Sequence, residues 1–274
     1  MSELFIRLQK ILPQHALSRL TGHLARSQTP WLKDWLIRQF ATHYGVRLDE
    51  AQASNPQDYA SFNDFFTRAL KPGVRPLTTA LNAIACPADG TISQLGTIDD
   101  DRLLQAKGHH YSLAALAGPL GQGFANGTFC TIYLAPRDYH RIHMPCEGEL
   151  TQTLAMPGAL FSVNGVTADG IEGLFARNER LVCRFDTDFG PMLVVLVGAL
   201  IVASIETVFP GPVSPYTREV RTDYAQVYQR GDEIGRFLLG STVICCFPPG
   251  RVTLRPELQA GAVVRMGEQL GTRT

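Results

Sequence analysis

The sequence predicts an α+β protein in which N-terminal amphipathic helices precede a β-rich, sandwich- or barrel-like body. Three observations carry that expectation. Apolar residues recur at helical spacing as far as residue 40. From about residue 82 the texture changes to short apolar runs split by Gly, Pro and Asn-Gly. The chain of 274 residues holds 25 glycines and 17 prolines, the turn-formers that a strand-rich body needs. Hydrophobic residues make up 45% of it, enough for a substantial core in one large domain or two smaller ones. Lys plus Arg and Asp plus Glu both number 25, a balance that gives no sign of a nucleic-acid partner.

The elements follow in chain order. Leu4, Phe5, Leu8, Ile11 and Leu12, then Leu17, Leu20 and Leu24, then Trp31, Leu32, Trp35, Leu36 and Phe40 predict three short helices, punctuated by Pro13 and Pro30. Residues 1–40 carry six basic residues against two acidic ones, and both tryptophans of the chain. Such helices suit an anionic bilayer surface; packing on the body or on a second subunit fits them equally. Residues 46–70 read as further helix, with starts at Leu48–Ala51 and at Ser61, a plausible N-cap with Asp64 three residues on. Lys71–Pro76 reads as a linker, which divides the chain into a helical region 1–75 and a β-rich domain 76–274.

Within that domain, 128–134, 181–185, 192–197 and 243–247 read as strands, with tight turns at Asn126-Gly127 and Asn164-Gly165. The apolar run 191–205 is shorter than the ~20 residues a spanning helix needs and predicts buried strand. Gly231-Asp232-Glu233-Ile234-Gly235 and Gly267-Glu268-Gln269-Leu270-Gly271 echo each other as hairpin turns. Six scattered cysteines without C-x-x-C spacing suggest reduced thiols in a cytosolic setting, and no secretory leader is expected.

The chemistry centres on Gly240-Ser241-Thr242. Ser241 follows a residue without Cβ and can swing its hydroxyl onto the Gly240 carbonyl, the geometry of an N-to-O acyl shift. Elimination from the resulting ester would leave a pyruvoyl group, a ketone able to form a Schiff base with an amine. The same tripeptide also fits an ordinary loop. Asp89 before Gly90, and His140 and His143 within 136–145, could complete a charge relay in which Asp89 orients His143 and His143 takes the proton of Ser241. A serine hydrolase, a pyruvoyl enzyme acting on a soluble amino acid, and a non-catalytic membrane-surface domain fit the same residues. Ser241 sits in no G-x-S-x-G elbow.

Longer motifs narrow the choice. PADGTISQLG at 87–96, AKGHHYSL at 106–113, APRDYHRIHMPCEG at 135–148, PGALFSVN at 157–164, LFARNERLVCRFDTDFGPM at 174–192, VGALIVASIET at 197–207 and GRFLLGSTVI at 235–244 stand in one order. With them the chain closely resembles the bacterial phosphatidylserine decarboxylases, although Arg230 stands where that family more often has Lys.

The resemblance implies self-cleavage between Gly240 and Ser241 into a β chain (1–240) and an α chain (241–274). It implies Asp89 and His143 as the processing pair, Ser241 as precursor of a covalent pyruvoyl cofactor, and no metal or pyridoxal phosphate. His140 becomes a candidate proton donor. Leu160, Phe161, Val163 and Asn164 become candidate walls around the substrate. The implied partners are phosphatidylserine in a membrane, an anionic bilayer reached through residues 1–40, the two chains of one precursor and a second copy in a homodimer. The implied location is peripheral, on the cytoplasmic face of the bacterial inner membrane.

Overall fold

The computed structural model describes residue 9 and residues 14–199, 205–238 and 241–274. The helix expected over residues 4–12 and the scissile-bond residue Gly240 lie outside them. The described helices are α1 (Gln14–Ala25), α2 (Pro30–Tyr44), α3 (Phe62–Phe66), α4 (Leu113–Ala117), α5 (Gly165–Gly170) and α6 (Leu174–Arg177). The strands of the first half are β1 (Ala83–Ala85), β2 (Gly90–Thr97), β3 (Arg102–Ala106), β4 (His109–Ser112), β5 (Thr128–Leu134), β6 (Arg141–His143) and β7 (Gly148–Met156). Those of the second half are β8 (Arg180–Thr187), β9 (Gly190–Val197), β10 (Ile205–Thr207), β11 (Val220–Tyr228), β12 (Glu233–Phe237), β13 (Ser241–Phe247), β14 (Val252–Leu254), β15 (Val263–Val264) and β16 (Gln269–Arg273).

The α+β expectation holds. An antiparallel sheet of eight strands runs β11-β7-β8-β9-β13-β5-β2-β15. Its centre is apolar on both faces, which explains why β9 and β13 read as unbroken hydrophobic runs rather than as alternating ones. Met192, Val194, Leu196, Val243, Cys245 and Phe247 point into one core; Leu193, Val195, Val197, Ile244 and Cys246 point into another. The first core is closed by two small sheets, β1-β16-β14 and β10-β12-β6, stacked over that face like the second layer of a sandwich. The second core is closed by α4, α6 and the β3–β4 hairpin. All six cysteines are buried and unbridged.

The N-terminal helices form a layer with its own small core of Ala25, Ile37, Tyr59, Phe62, Phe65 and Phe66. Pro30 at the first turn and Gly45 in the left-handed conformation (φ +66°) bound α2. Ser61 caps α3 as expected, its Oγ accepting from the Asp64 amide at 3.2 Å. Leu20, Leu24, Trp31 and Trp35 stay exposed, Trp31 at 73%.

Three expectations need correction. Leu48–Ala51 is not a helix start: the carboxylates of Asp49 and Glu50 are drawn to Arg47 and Arg75, and Ala51 bridges to Leu70. Residues 46–70 hold one turn of 3-10 helix and the single turn of α3 in place of a continuous helical stretch. Asn164-Gly165 is no hairpin turn; Asn164 caps α5, its Oδ1 accepting from the Thr167 amide at 3.2 Å.

Candidate active site

Ser241 opens β13, the strand held between β9 and β5 at the middle of the main sheet. Its Cα lies opposite Leu134. By strand alternation its side chain shares the face of Val243, Cys245 and Phe247, the face covered by the small sheet β10-β12-β6. The residue is fully buried, and its Oγ has no hydrogen-bond partner among the described residues. A buried hydroxyl without a partner costs about 1–3 kcal/mol, and the neighbouring Thr242 hydroxyl shares that condition.

His140 lies on the connection between β5 and β6, and His143 closes β6. Asp138 closes a turn there, its Oδ2 accepting from the Ala135 amide at 2.7 Å. β5 ends opposite Ser241, and β6 pairs with β12, the strand that leads toward Ser241. Residues 135–140 therefore lead from the strand paired with Ser241 to the strand paired with β12. The His140 carbonyl accepts from the Phe237 amide at 3.0 Å.

His140 is completely buried against the Phe66 ring of α3, centroid to centroid 4.1 Å. Its Nδ1–H donates to the Asp138 carbonyl at 2.8 Å, which leaves Nε2 as a buried lone pair with no partner. Burial pushes its pKa down to about 3, so the ring is neutral at physiological pH. His140 must therefore take up a proton before it can donate one.

His143 ends β6, followed by Pro145. Its Nδ1–H donates to the Gly231 carbonyl at 2.8 Å, and the Tyr139 hydroxyl lies 3.0 Å from Nε2. A carbonyl can only accept, so Nε2 carries the lone pair and the phenol donates to it. Burial lowers the His143 pKa as well, and the ring is a neutral base.

Asp89 precedes β2, and the His143 amide bonds to the Pro87 carbonyl at 2.9 Å, so acid and base come from neighbouring backbone segments. The two side chains are not hydrogen-bonded to each other. Asp89 accepts from Arg75 Nε at 2.9 Å and from Arg75 Nη2 at 2.5 Å, and from the Met266 amide at 2.9 Å. It acts on His143 as a nearby negative charge that favours the protonated ring. Arg75 also pairs with Glu50 at 2.8 Å, and its side chain is 7% exposed. Gly90 is glycine because of a close approach: a Cβ there would lie 2.4 Å from the Tyr133 carbonyl oxygen.

Sequence reasoning missed Arg75, which reads as linker, and Tyr139, which reads as part of a polar loop. It also missed the use made of the two echoing turns. One supplies the Gly231 carbonyl to His143; the other supplies the Met266 amide to Asp89. Both turns pack on the Pro76–Leu77 segment: a Cβ on Gly231 would overlap the Leu77 side chain, and one on Gly267 the Pro76 carbonyl oxygen.

Leu160, Phe161 and Val163 are buried. Phe161 and Val163 belong to the core on the other face of the main sheet. Asn178 holds their loop, its Nδ2 donating to the Phe161 and Gly198 carbonyls. The N-terminus holds it too: the Leu160 amide donates to Gln14 Oε1 at 2.7 Å and the Ser162 amide to Gln9 Oε1 at 2.9 Å. Asn164 is occupied in capping α5.

The chain is similar to known proteins along nearly its whole length. A family model described as phosphatidylserine decarboxylase matches residues 62–272, and a second, described as PSD, matches residues 4–45. The phosphatidylserine decarboxylase proenzyme of Alcanivorax borkumensis is 53% identical, over 99% of this chain and 97% of the relative. The proenzyme of Saccharophagus degradans is 50% identical, over 98% and 96%. A Pseudomonas aeruginosa proenzyme is 53% identical, over 97% and 96%.

Proposed function

The chain belongs to the phosphatidylserine decarboxylase family, and we propose that Ser241 is the residue it converts into its own catalytic group. The enzyme removes the serine carboxylate of phosphatidylserine as CO₂ and leaves phosphatidylethanolamine, after a proenzyme has cut itself. The observation that carries the assignment is the buried, unpartnered Oγ of Ser241 at the head of the central strand.

In processing, His143 takes the Ser241 proton on Nε2 while Gly231 keeps its Nδ1–H engaged. Asp89, fixed by Arg75 and Met266, stabilises the cation that forms. The hydroxyl attacks the carbonyl of Gly240. The break leaves residues 241–274 in place because β13 is laddered to both β5 and β9.

The buried position suits a small group formed from Ser241 itself. When present, the pyruvoyl group supplies an electrophilic carbonyl that binds the substrate amine and accepts the electrons left by departing CO₂. His140, with a bare Nε2, relays to the substrate carbon the proton that decarboxylation consumes from solvent. The buried surroundings disfavour the carboxylate and favour its loss as CO₂.

That layer docks on the anionic bilayer. Leu20, Leu24, Trp31 and Trp35 are exposed on it, and an apolar groove of about 390 Å³ lies between α1 and α2, lined by Leu24, Trp35, Leu36 and Phe40. No helix among the described residues is long and apolar enough to cross a membrane. The helical layer 1–75 and the catalytic body 76–274 then divide the work between docking and chemistry.

Intact mass of the purified protein tests the reading. Two chains are expected, the smaller beginning at a blocked residue 241, with a single chain for Ser241→Ala. One unmodified chain from the mature wild-type protein overturns the reading.

A further inference from the structure

Beside Asp89 and Tyr139 lies a cavity of about 200 Å³ lined by Arg47, Arg68, Arg75, Arg137 and Arg265. Its carboxylates are Glu50, Asp89 and Asp138, so five guanidinium groups face three acids. We propose that this cavity binds a phosphate group.

Arg68 carries the argument. The residue is 4% exposed, and among the described residues it has no carboxylate within ion-pair distance. Nη2 donates to the carbonyls of Arg137 and Asp138, at 2.9 and 3.2 Å. Nε and Nη1 are buried without any hydrogen-bond partner. The guanidinium lies over the Phe65 ring at 5.8 Å, a contact that leaves its in-plane donors unused. Burial depresses its affinity for a proton, and the charges of Asp89, Asp138 and Glu50 only partly offset that effect. A buried charge is tolerated when an anion pairs with it, and a guanidinium fork matches phosphate oxygens.

The other arginines divide by occupation. Arg75 is committed to Asp89 and Glu50, and Arg47 to Asp49 and Glu50. Arg137 approaches Asp138 only at 3.9 Å and is 63% exposed. Arg265 is exposed and makes no ion pair among the described residues. One deep cation and two rim cations thus converge on one space. A carboxylate offers two oxygens to such a set; a phosphate offers more, and suits the surplus of two positive charges. The cavity also touches Gly45, at the end of α2, the helix that carries Trp31 and Trp35. The phosphate can therefore come from a lipid headgroup or from solution.

The cavity shares Arg75, Asp89 and Tyr139 with the processing site, so the test reads binding alone, in the full-length Ser241→Ala protein, which does not process. Thermal melting is followed while inorganic phosphate replaces chloride at constant ionic strength, and again with a short-chain phosphatidylglycerol below its micelle concentration. A saturable rise in Tm is expected. A rise with both ligands identifies a general phosphate site; a rise with the lipid alone identifies a headgroup site. Arg265→Gln, on the exposed rim, should shift the half-saturation point upward about tenfold without lowering the ligand-free Tm, as loss of one charge-assisted contact implies. Arg68→Gln should abolish the response. No saturable rise with either ligand, or an unchanged half-saturation point in both variants, overturns the proposal.

Discussion

The Gly231 carbonyl accepts the Nδ1–H of His143 at 2.8 Å, and in doing so decides which nitrogen of the ring can act as base. Gly231 holds that carbonyl in place from a left-handed backbone conformation, φ +91°, with Leu77 packed where a Cβ would go, 2.5 Å away. Both features demand glycine. Gly231→Ala should cost about 1–3 kcal/mol through strain and overlap. Self-cleavage should slow by roughly tenfold to a hundredfold as the imidazole loses its alignment. Melting and the rate of appearance of the two chains measure both; an unchanged cleavage rate would remove Gly231 from the mechanism.

Tyr139 occupies the other nitrogen. Burial raises its pKa, so the phenol stays protonated and donates to His143 Nε2. That bond competes with the serine for the lone pair. Tyr139→Phe should release the base and speed processing about fivefold, the worth of one neutral hydrogen bond. Slower processing in this variant would instead make Tyr139 a proton relay.

Arg75 and Asp89 form a buried pair, with side chains 7% and 9% exposed. Removing one partner strands the other. Arg75→Met should therefore destabilise the proenzyme by about 3–5 kcal/mol. Processing should also fall, since Asp89 would be free to leave its position near His143. Arg75→Lys keeps the charge but loses the two-pronged grip, and should fall between the two. Denaturant unfolding of the Ser241→Ala background separates the stability term from the processing term.

These residues show what the sequence makes legible and what it hides. The strands 128–134, 181–185, 192–197 and 243–247 stand out because each is a short apolar run between turn-formers, and each is found. Ser61 declares a helix start through a local hydrogen bond, and the structure contains it. Ser241, His140 and His143 are visible as chemistry-bearing residues in dense motifs. The echo between 231–235 and 267–271 is visible too. What it does is not, because its partners, His143 and Asp89, are set by long-range folding. Arg75 is hidden for the same reason: inside a Pro- and Gly-rich stretch it looks like a solvated linker, and only the tertiary structure brings Asp89 to it. Leu48–Ala51 misleads because its acids serve arginines rather than a helix terminus.

His140 and His143, the two histidines of the proposed site, are held neutral by burial, and that sets a pH dependence. Their folded pKa values lie below the ordinary 6.5, about 3 for His140, so below pH 6.5 the unfolded chain binds more protons than the native one. Stability then rises with pH across that window, and is lost progressively as pH falls from about 6.5 toward 3. His140→Asn removes one of these protons from the balance. Its unfolding free energy should decline less steeply between pH 6.5 and 4.5 than that of the parent, measured by urea titration in the Ser241→Ala background. Parallel slopes would mean that His140 titrates normally in the folded protein.

Membrane docking can be tested without disturbing the site, provided the helices are kept. Deleting residues 1–40 would remove Ala25 and Ile37 from the core they share with Phe62, Phe65 and Phe66. It would also strip the Leu160 and Ser162 amides of Gln14 and Gln9. Phe66 lies on His140, so the loss would reach the catalytic histidine. Substituting outward-facing residues avoids this. Leu20, Leu24, Trp31 and Trp35 are 62%, 47%, 73% and 56% exposed and stabilise little in the folded protein. In a bilayer, each fully inserted side chain of this kind is worth about 1.5–3 kcal/mol. Trp31→Ser with Trp35→Ser should therefore weaken binding to vesicles of phosphatidylserine and phosphatidylglycerol by at least about tenfold. Self-cleavage, which needs no lipid contact, should proceed at the parental rate. Sedimentation with vesicles measures the first and intact mass the second. Undiminished sedimentation of the double variant would place the docking surface elsewhere, and a fall in self-cleavage would show that α2 supports the site from outside as well as within.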